Sequence, residues 1–319
     1  DACVVRAGGG LALSVAACTG GGRVCLWGVE QIVASGASRT DLPPTSSHAL
    51  STGTHPLHCL SSPLDAGGSP SSVLYAVRSD DRRDDHKKVP RYSLVRLVLD
   101  APAANTTAVL APAAGDPPLR ALECVSFAEA SPLAGSGRLA SVALDGVDVA
   151  VLGLSDGLRL YAHTTGRHKN KTKHTRVSPA PLHGREAILA VAACGGDAAA
   201  SHAEGHVTLH VGLLSGAAAA LRTGTAAPPC PVRILRWHVH PPASLAFAPG
   251  GSLLYSGGEE AVLCTWQVGR GAETPQHLAP RLALGAICGV SCPQDGRGVY
   301  VSAMDGGVLA LTVPEYKRR

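Results

Sequence analysis

Apolar residues in this chain fall in short runs, each closed by Gly, Pro, Asp or Ser, and one such arrangement occurs twice near the C-terminal end. Residues 244–248 lead through Pro249-Gly250-Gly251 into 252–258, then into Ala261-Val262-Leu263-Cys264-Thr265-Trp266. Further on, 289–292 lead through Pro293-Gln294-Asp295-Gly296 into 299–302, then through Asp305-Gly306-Gly307 into 308–311. Each copy reads strand, turn, strand, turn, strand. The same template places the ends of third strands near Tyr161, His210, Trp266 and Leu311, at intervals of 49, 56 and 45 residues. An earlier copy closes at Trp27 after Gly20-Gly21-Gly22. The 134 residues from Trp27 to Tyr161 leave room for one more, with strands at 57–60, 73–77 and 92–99. A period of this size made of short strands is that of β-propeller blades, so the pattern predicts an all-β chain of about six blades.

Four segments interrupt the pattern. Residues 36–54 are rich in Ser, Thr and Pro and read as a loop between blades. Residues 80–88 mix both charge signs, as a long hairpin tip would, and the Ala/Pro-rich stretch 101–118 reads as another inter-blade connection. Residues 165–176 hold Arg167, Lys169, Lys171, Lys173 and Arg176 with no acid. One continuous partial propeller is expected over 1–313, with 314–319 a linker. The opening at Asp1 and the close on Lys317-Arg318-Arg319 read as cuts in a longer protein.

Composition adjusts this picture. Aromatic content of 3% is low for a propeller, and much of the 45% apolar fraction is alanine, so each blade buries little area and leans on its neighbours. The ten cysteines lie mostly in apolar strand segments and read as free thiols acting as small hydrophobes. No apolar run approaches the roughly 20 residues of a membrane span, and the chain reads as soluble and intracellular. The net charge of +4 matters less than its concentration in 165–176.

That basic segment is the strongest chemical signal. Five fixed positive charges within twelve residues suit nucleic-acid phosphates. No aromatic residue is interleaved with them, so base stacking is not indicated. His202, His206 and His210 are spaced by four, as metal ligands on a helix would be, but Gly205, Val207, Thr208 and Val211 read as turn and strand. On a strand His206 and His210 would stand about 13 Å apart, too far for one ion, with His202 across a turn. Cys288 and Cys292 read as core residues, and Gly8-Gly9-Gly10 and Gly20-Gly21-Gly22 as turns, since no P-loop Lys-Ser/Thr follows either. Asp145, Asp148 and Asp156 recur near turns and read as structural, as in Asp156-Gly157 and Asp305-Gly306. The sequons at Asn105 and Asn170 would matter in a secreted chain. In Trp237-His238-Val239-His240, a histidine ahead of a first strand could reach the acid of a blade turn, as in WD-type repeats. Glu259 and Glu260 stand where an aspartate is usual, so His238 and His240 read as packing or loop residues. No catalytic constellation is present, and none is expected.

Residues 235–240, 245–247, 253–259 and 262–266, the link 278–282, and the segments 287–291 and 301–305 together resemble the WD repeat-containing protein 75 family. The resemblance is close over the last 85 or so residues. It implies blades two to seven of a first, seven-bladed WD-repeat propeller, without the opening blade or the family's second propeller. It also implies a nucleolar, nuclear, non-enzymatic scaffold of the small-subunit processome, acting in pre-ribosomal RNA transcription and processing. Its partners would be other processome WD-repeat proteins and pre-ribosomal RNA, the latter held by Arg167, Lys169, Lys171, Lys173 and Arg176. No cofactor, metal, membrane or small-molecule substrate is expected. A second reading of the same fold is a peptide-recognition adaptor in another complex, such as a ubiquitin ligase.

Overall fold

The computed structural model describes residues 2–6, 13–18, 23–28, 46–49, 57–63, 71, 73–80, 90–98, 120–128, 137–164, 187–269, 275–280, 285–293 and 296–312. They form two compact units, 1–63 with 69–136 and 64–68 with 137–319.

Among the described residues the first unit holds two four-stranded antiparallel sheets. One runs β1 (Ala2–Arg6), β2 (Leu13–Cys18), β3 (Arg23–Gly28) and β4 (Ser46–Ala49). β4 falls inside 36–54, where a loop was expected. It pairs with β3 along one edge, from Leu26 opposite Ser46 to Arg23 opposite Ala49. A Ser/His segment can add to an edge by backbone hydrogen bonds while showing no apolar alternation. The other sheet runs β5 (Leu57–Ser61), β6 (Val73–Asp80), β7 (Arg91–Val98) and β8 (Arg120–Ala128). Asp80 faces Arg91, so the mixed-charge segment does join two paired strands. The Ala/Pro stretch joins β7 to β8 within this sheet and is not an inter-sheet link. β8 escaped notice because a register shift opposite Leu94 and Val95 breaks its alternation.

The second unit holds four antiparallel sheets among the described residues. They are β9 (Leu139–Leu144), β10 (Val147–Leu154) and β11 (Gly157–Thr164); β12 (Ile188–Cys194), β13 (Asp197–His202), β14 (His206–His210) and β15 (Val232–Arg236). Then come β16 (Pro242–Phe247), β17 (Leu253–Gly258), β18 (Leu263–Gln267) and β19 (His277–Ala279); and β20 (Ile287–Ser291), β21 (Gly298–Ala303) and β22 (Val308–Thr312). Each sheet is built from strands consecutive in sequence. Trp27, Tyr161, His210, Trp266 and Leu311 all lie on third strands, where the repeat puts them.

The repeat also shows in detail that no single sheet requires. The first strands β5, β12, β16 and β20 each carry a register shift between their first and third residues: 57/59, 188/190, 242/244 and 287/289. Within the second unit successive sheets meet through their first strands, β9 on β12, β12 on β16 and β16 on β20. The Ile that opens β12 sits against Gly153, and the Ile that opens β20 sits against Gly257. A Cβ at Gly153 would overlap Ile188, and one at Gly257 would lie 2.7 Å from Ile287 Cγ2. Glycine is needed there for close approach, not for an unusual φ.

One helix occurs among the described residues, α1 (Leu213–Thr223), inserted between β14 and β15. Gly212 and Gly224 bound it in left-handed conformation, and the Gly224 N–H donates to Ala220 O at 2.9 Å. Its Leu213, Leu214, Ala217 and Ala218 join a core cluster with Ala198 and Ala200 of β13 and Val149, Val151, Leu158 and Leu160 of β10 and β11. Alanines leave β13 thin, and the helix covers it. The described residues are otherwise all-β, in several open antiparallel sheets.

Candidate functional site

Arg167, Lys169, Lys171, Lys173 and Arg176 lie outside the described residues, as do both sequons and the two glycine triplets. β11 ends at Thr164, directly before the basic segment.

The most completely specified polar site is built around the turn between β17 and β18. Ser256 is fully buried on β17, Trp266 is 1% exposed on β18, and His238 is buried in the connection ahead of β16. The Trp266 Nε1–H donates to Ser256 Oγ at 2.8 Å, and His238 Nε2 lies 2.7 Å from the same oxygen. His238 Nδ1 faces Glu260 Oε2 at 3.4 Å. One proton arrangement satisfies the whole chain. His238 Nδ1–H points at the carboxylate, which leaves Nε2 to accept the Ser256 hydroxyl proton while Ser256 Oγ accepts from Trp266. The other Glu260 oxygen, Oε1, accepts the Val239 and His240 N–H groups at 2.8 and 2.7 Å. One carboxylate therefore holds both the histidine and the loop that carries it.

Titration behaviour follows the packing. Burial pushes His238 below the ordinary histidine range against the opposing pull of Glu260. For Glu260, burial acts upward, but the hydrogen bonds from backbone N–H groups and the nearness of His238 outweigh it and leave the carboxyl low. The assembly is a latch between sheet and loop rather than an acid–base pair open to substrate. It also corrects the reading of His238 as a packing or loop residue. Glutamate is one methylene longer than aspartate, and from Glu260 that reach still meets the imidazole. His240 does behave as a loop residue, half exposed, with Nδ1 3.7 Å from Glu259 Oε2.

His202, His206 and His210 form a second buried group. β13 ends at His202 and β14 runs from His206 to His210, the turn-and-strand geometry the sequence predicted. The His202 and His206 rings stack in parallel, with centroids 4.3 Å apart. Thr208 Oγ1 lies 2.8 Å from His202 Nε2 and 3.1 Å from His210 Nε2, joining the outer two. Burial, with the neighbouring histidines, pushes His202 down to about 3, and burial takes His210 down to about 4. His206 is lowered by burial and by Arg236, with Glu204 acting the other way. The three are neutral at pH 7. Among the described residues no group of three His, Cys, Asp or Glu is arranged to hold a metal ion.

One further expectation changes. Cys288 is exposed, with its Sγ 3.4 Å from Ser302 O, so it is not a core residue, whereas half-buried Cys292 packs against the last core cluster and burial pushes its thiol up to about 12. Asp148 lies near a turn, as expected, but within the strand that follows it. It is 2% exposed inside β10, opposite His163 of β11. The turn beside it is Asp145-Gly146, with φ of 47° and 77°, the left-handed pair that a two-residue hairpin needs. Asp305 does serve a turn, its Oδ1 accepting the Gly307 N–H at 2.9 Å.

No described helix is long and apolar enough to cross a membrane. Neither the models of known protein families nor the curated proteins contain a match to this chain.

Proposed function

We propose that the chain is part of a WD-type β-propeller, six blades of a seven-bladed ring, acting as a non-enzymatic scaffold of the small-subunit processome in the nucleolus. The observation that carries the fold part is the Trp266–Ser256–His238–Glu260 network. It ties the loop before a first strand to the turn between second and third strands, where WD-type repeats place their histidine and acid. The recurrent register shift in β5, β12, β16 and β20 supports the same reading. The assignment to pre-ribosomal RNA and to sister WD-repeat proteins rests on the family resemblance of 235–305 and on the five cations of 165–176. In this reading Arg167, Lys169, Lys171, Lys173 and Arg176 neutralise RNA phosphates without reading bases.

The test uses the full-length protein, tagged, with copurifying proteins identified and bound RNA sequenced. Recovery of processome WD-repeat proteins together with the 5′ part of pre-ribosomal RNA is expected, and a ligase complex without RNA would replace the reading with the adaptor one. Changing Lys169, Lys171 and Lys173 to Glu should weaken RNA binding while the far-ultraviolet circular dichroism stays unchanged. The dependence of log K on log salt should become shallower by about 0.7 for each single-strand phosphate that is no longer neutralised.

A further inference from the structure

Among the described residues, the large apolar side chains left exposed are not scattered. Val239, Met304 and Val308 have the highest values, 80%, 77% and 69%, and all three stand at one end of the last two sheets. Val239 lies in the connection ahead of β16, Met304 follows β21, and Val308 opens β22. Strand pairing puts these positions at the same end, since Pro242 stands opposite Gly258 and Ile287 opposite Ala303. Packing makes that end continuous. A Cβ at Gly205 would lie 3.1 Å from Val239 O, Ile287 sits against Gly257, and the Met304 N–H donates to Ala286 O at 2.9 Å.

The backbone under these side chains is fixed. Glu260 Oε1 accepts the N–H groups on both sides of the Val239 Cα. In the turn after β21 the Ala303 N–H donates to Gly307 O and the Gly306 N–H to Ala303 O, each at 3.0 Å. Apolar groups grouped at one place and held toward water by a rigid backbone mark an interaction surface, because covering them orders little that was free before. Carboxylates border them. Glu204, Glu259 and Asp305 are exposed on three successive second-to-third-strand turns, and Arg236 is the one lysine or arginine described at this end of the three sheets. Such a surface repels RNA phosphate and anionic membranes and attracts lysine or arginine.

We propose that this end of β16–β22 docks a protein partner through a segment in which lysine or arginine stands beside aliphatic residues. The aliphatics cover Val239, Met304 and Val308, and the cations meet Glu259 and Asp305. The five-cation segment 165–176 belongs elsewhere: β11 ends at Thr164 opposite Val147, at the other end of its sheet, beside the Asp145-Gly146 turn. The inference adds a partner chemistry to the scaffold reading and stands whether or not 165–176 binds RNA.

The experiment pans a random heptapeptide phage library on the immobilised whole chain. Selected sequences should be enriched in Lys or Arg next to Leu, Ile, Val or Met, and depleted of Asp and Glu. The strongest of them, as a free peptide titrated by calorimetry, should bind Val239→Ser/Met304→Ser about tenfold more weakly than the parent chain, through lost apolar burial. It should bind Glu259→Gln/Asp305→Asn about fivefold more weakly, with a flatter salt dependence. All four positions are exposed, and an asparagine at 305 can still accept the Gly307 N–H, so both variants should melt with the parent and bind RNA as it does. No sequence preference, a preference for acidic residues, or an affinity unchanged in either variant would overturn the proposal.

Discussion

The sheets β12–β15 and β16–β19 have the same strand order and the same register shift at the start, yet they fill one polar position differently. Ser201 opposite Val207 and Gly257 opposite Leu263 are the last pairs before equal five-residue turns, so the two sheets align residue by residue. Trp266 then corresponds to His210, Ser256 to Ala200, Cys264 to Thr208, and Glu260 to Glu204. In one sheet the hydroxyl comes from the second strand and joins an indole to a histidine and an acid. In the other the second strand has Ala200 at that position, and the hydroxyl comes from the third strand, where Thr208 joins two histidines. The same backbone needs a hydroxyl bridging buried rings, and it accepts that hydroxyl from either strand. What differs is the sensitivity of each bridge to size and to protons.

The largest effect should come from the indole. Trp266→Ala removes a fully buried side chain and leaves Ser256 without a donor, costing about 3–5 kcal/mol. His210→Ala removes a smaller ring and one of two bonds to Thr208, at about 1–3 kcal/mol. Urea midpoints of the two variants compare them directly. Equal losses would dissolve the distinction between the sheets.

Acid should separate them next. His202, His206, His210 and His238 all titrate lower in the folded chain than the ordinary value near 6.5, chiefly because burial disfavours the imidazolium. The unfolded chain therefore binds more protons as pH falls below about 6.5. Stability is complete above that pH, declines beneath it, and stops declining near pH 4 for His210 and pH 3 for His202. Each group removes up to about 1.4 kcal/mol per pH unit over its window. Thr208 bridges His202 and His210, and beside His206 Arg236 opposes its protonation while Glu204 favours it. Urea midpoints between pH 7 and 4.5 should fall less steeply in a His202→Gln/His210→Gln chain. An unchanged slope would assign the acid sensitivity elsewhere.

A third contrast lies at the paired positions Ser201 and Gly257. Ser201 Oγ accepts the buried Ala190 N–H at 2.9 Å, inside the register shift of β12, whereas Gly257 receives Ile287. Ser201→Gly should lose about 1–3 kcal/mol by leaving that amide without a partner. Gly257→Ser should lose a similar amount by overpacking the branched stem of Ile287, which has little room to turn away. Midpoint shifts in both directions of the exchange check this, and tolerance of either would show that the alignment does not govern packing.

What could be read beforehand was the repeat itself. Third-strand ends at Trp27, Tyr161, His210, Trp266 and Leu311 announce themselves because apolar runs stop at glycine-rich turns. Edge strands were the blind spot: β4 is Ser/His and β8 contains Arg120 and Glu123, and neither shows a period. The helix α1 was missed for a related reason. Its run Leu213-Leu214-Ser215-Gly216-Ala217-Ala218-Ala219-Ala220-Leu221 is too uniformly small to mark a face. The His238 latch was partly legible, since a histidine ahead of a first strand and an acid at the following turn were both read in the sequence, while the parts of Ser256 and Trp266 were not. Reach is a property of the folded turn, so a glutamate there gave no guide. The Thr208 hub had no sequence signal beyond three histidines whose spacing points to a metal.

The smallest effect tests that reach. Glu260→Asp shortens the side chain by one methylene, and the carboxylate must then choose between the Val239 and His240 N–H groups at 2.8 and 2.7 Å and the imidazole at 3.4 Å. The backbone bonds are shorter, so the contact to His238 is the one expected to lengthen. The loop is solvent-accessible, Val239 being 80% exposed, so the loss should be about 0.5–1 kcal/mol. The sharper readout is His238 itself, followed by NMR titration of the imidazole. Without the carboxylate beside Nδ1 its pKa should fall below that of the parent chain, since burial remains and the opposing attraction is gone. A rise would mean that aspartate meets the histidine better than glutamate does. The glutamate would then be a weakened form of the latch, and the β16–β19 sheet would differ from β12–β15 by less than its hydrogen bonds suggest.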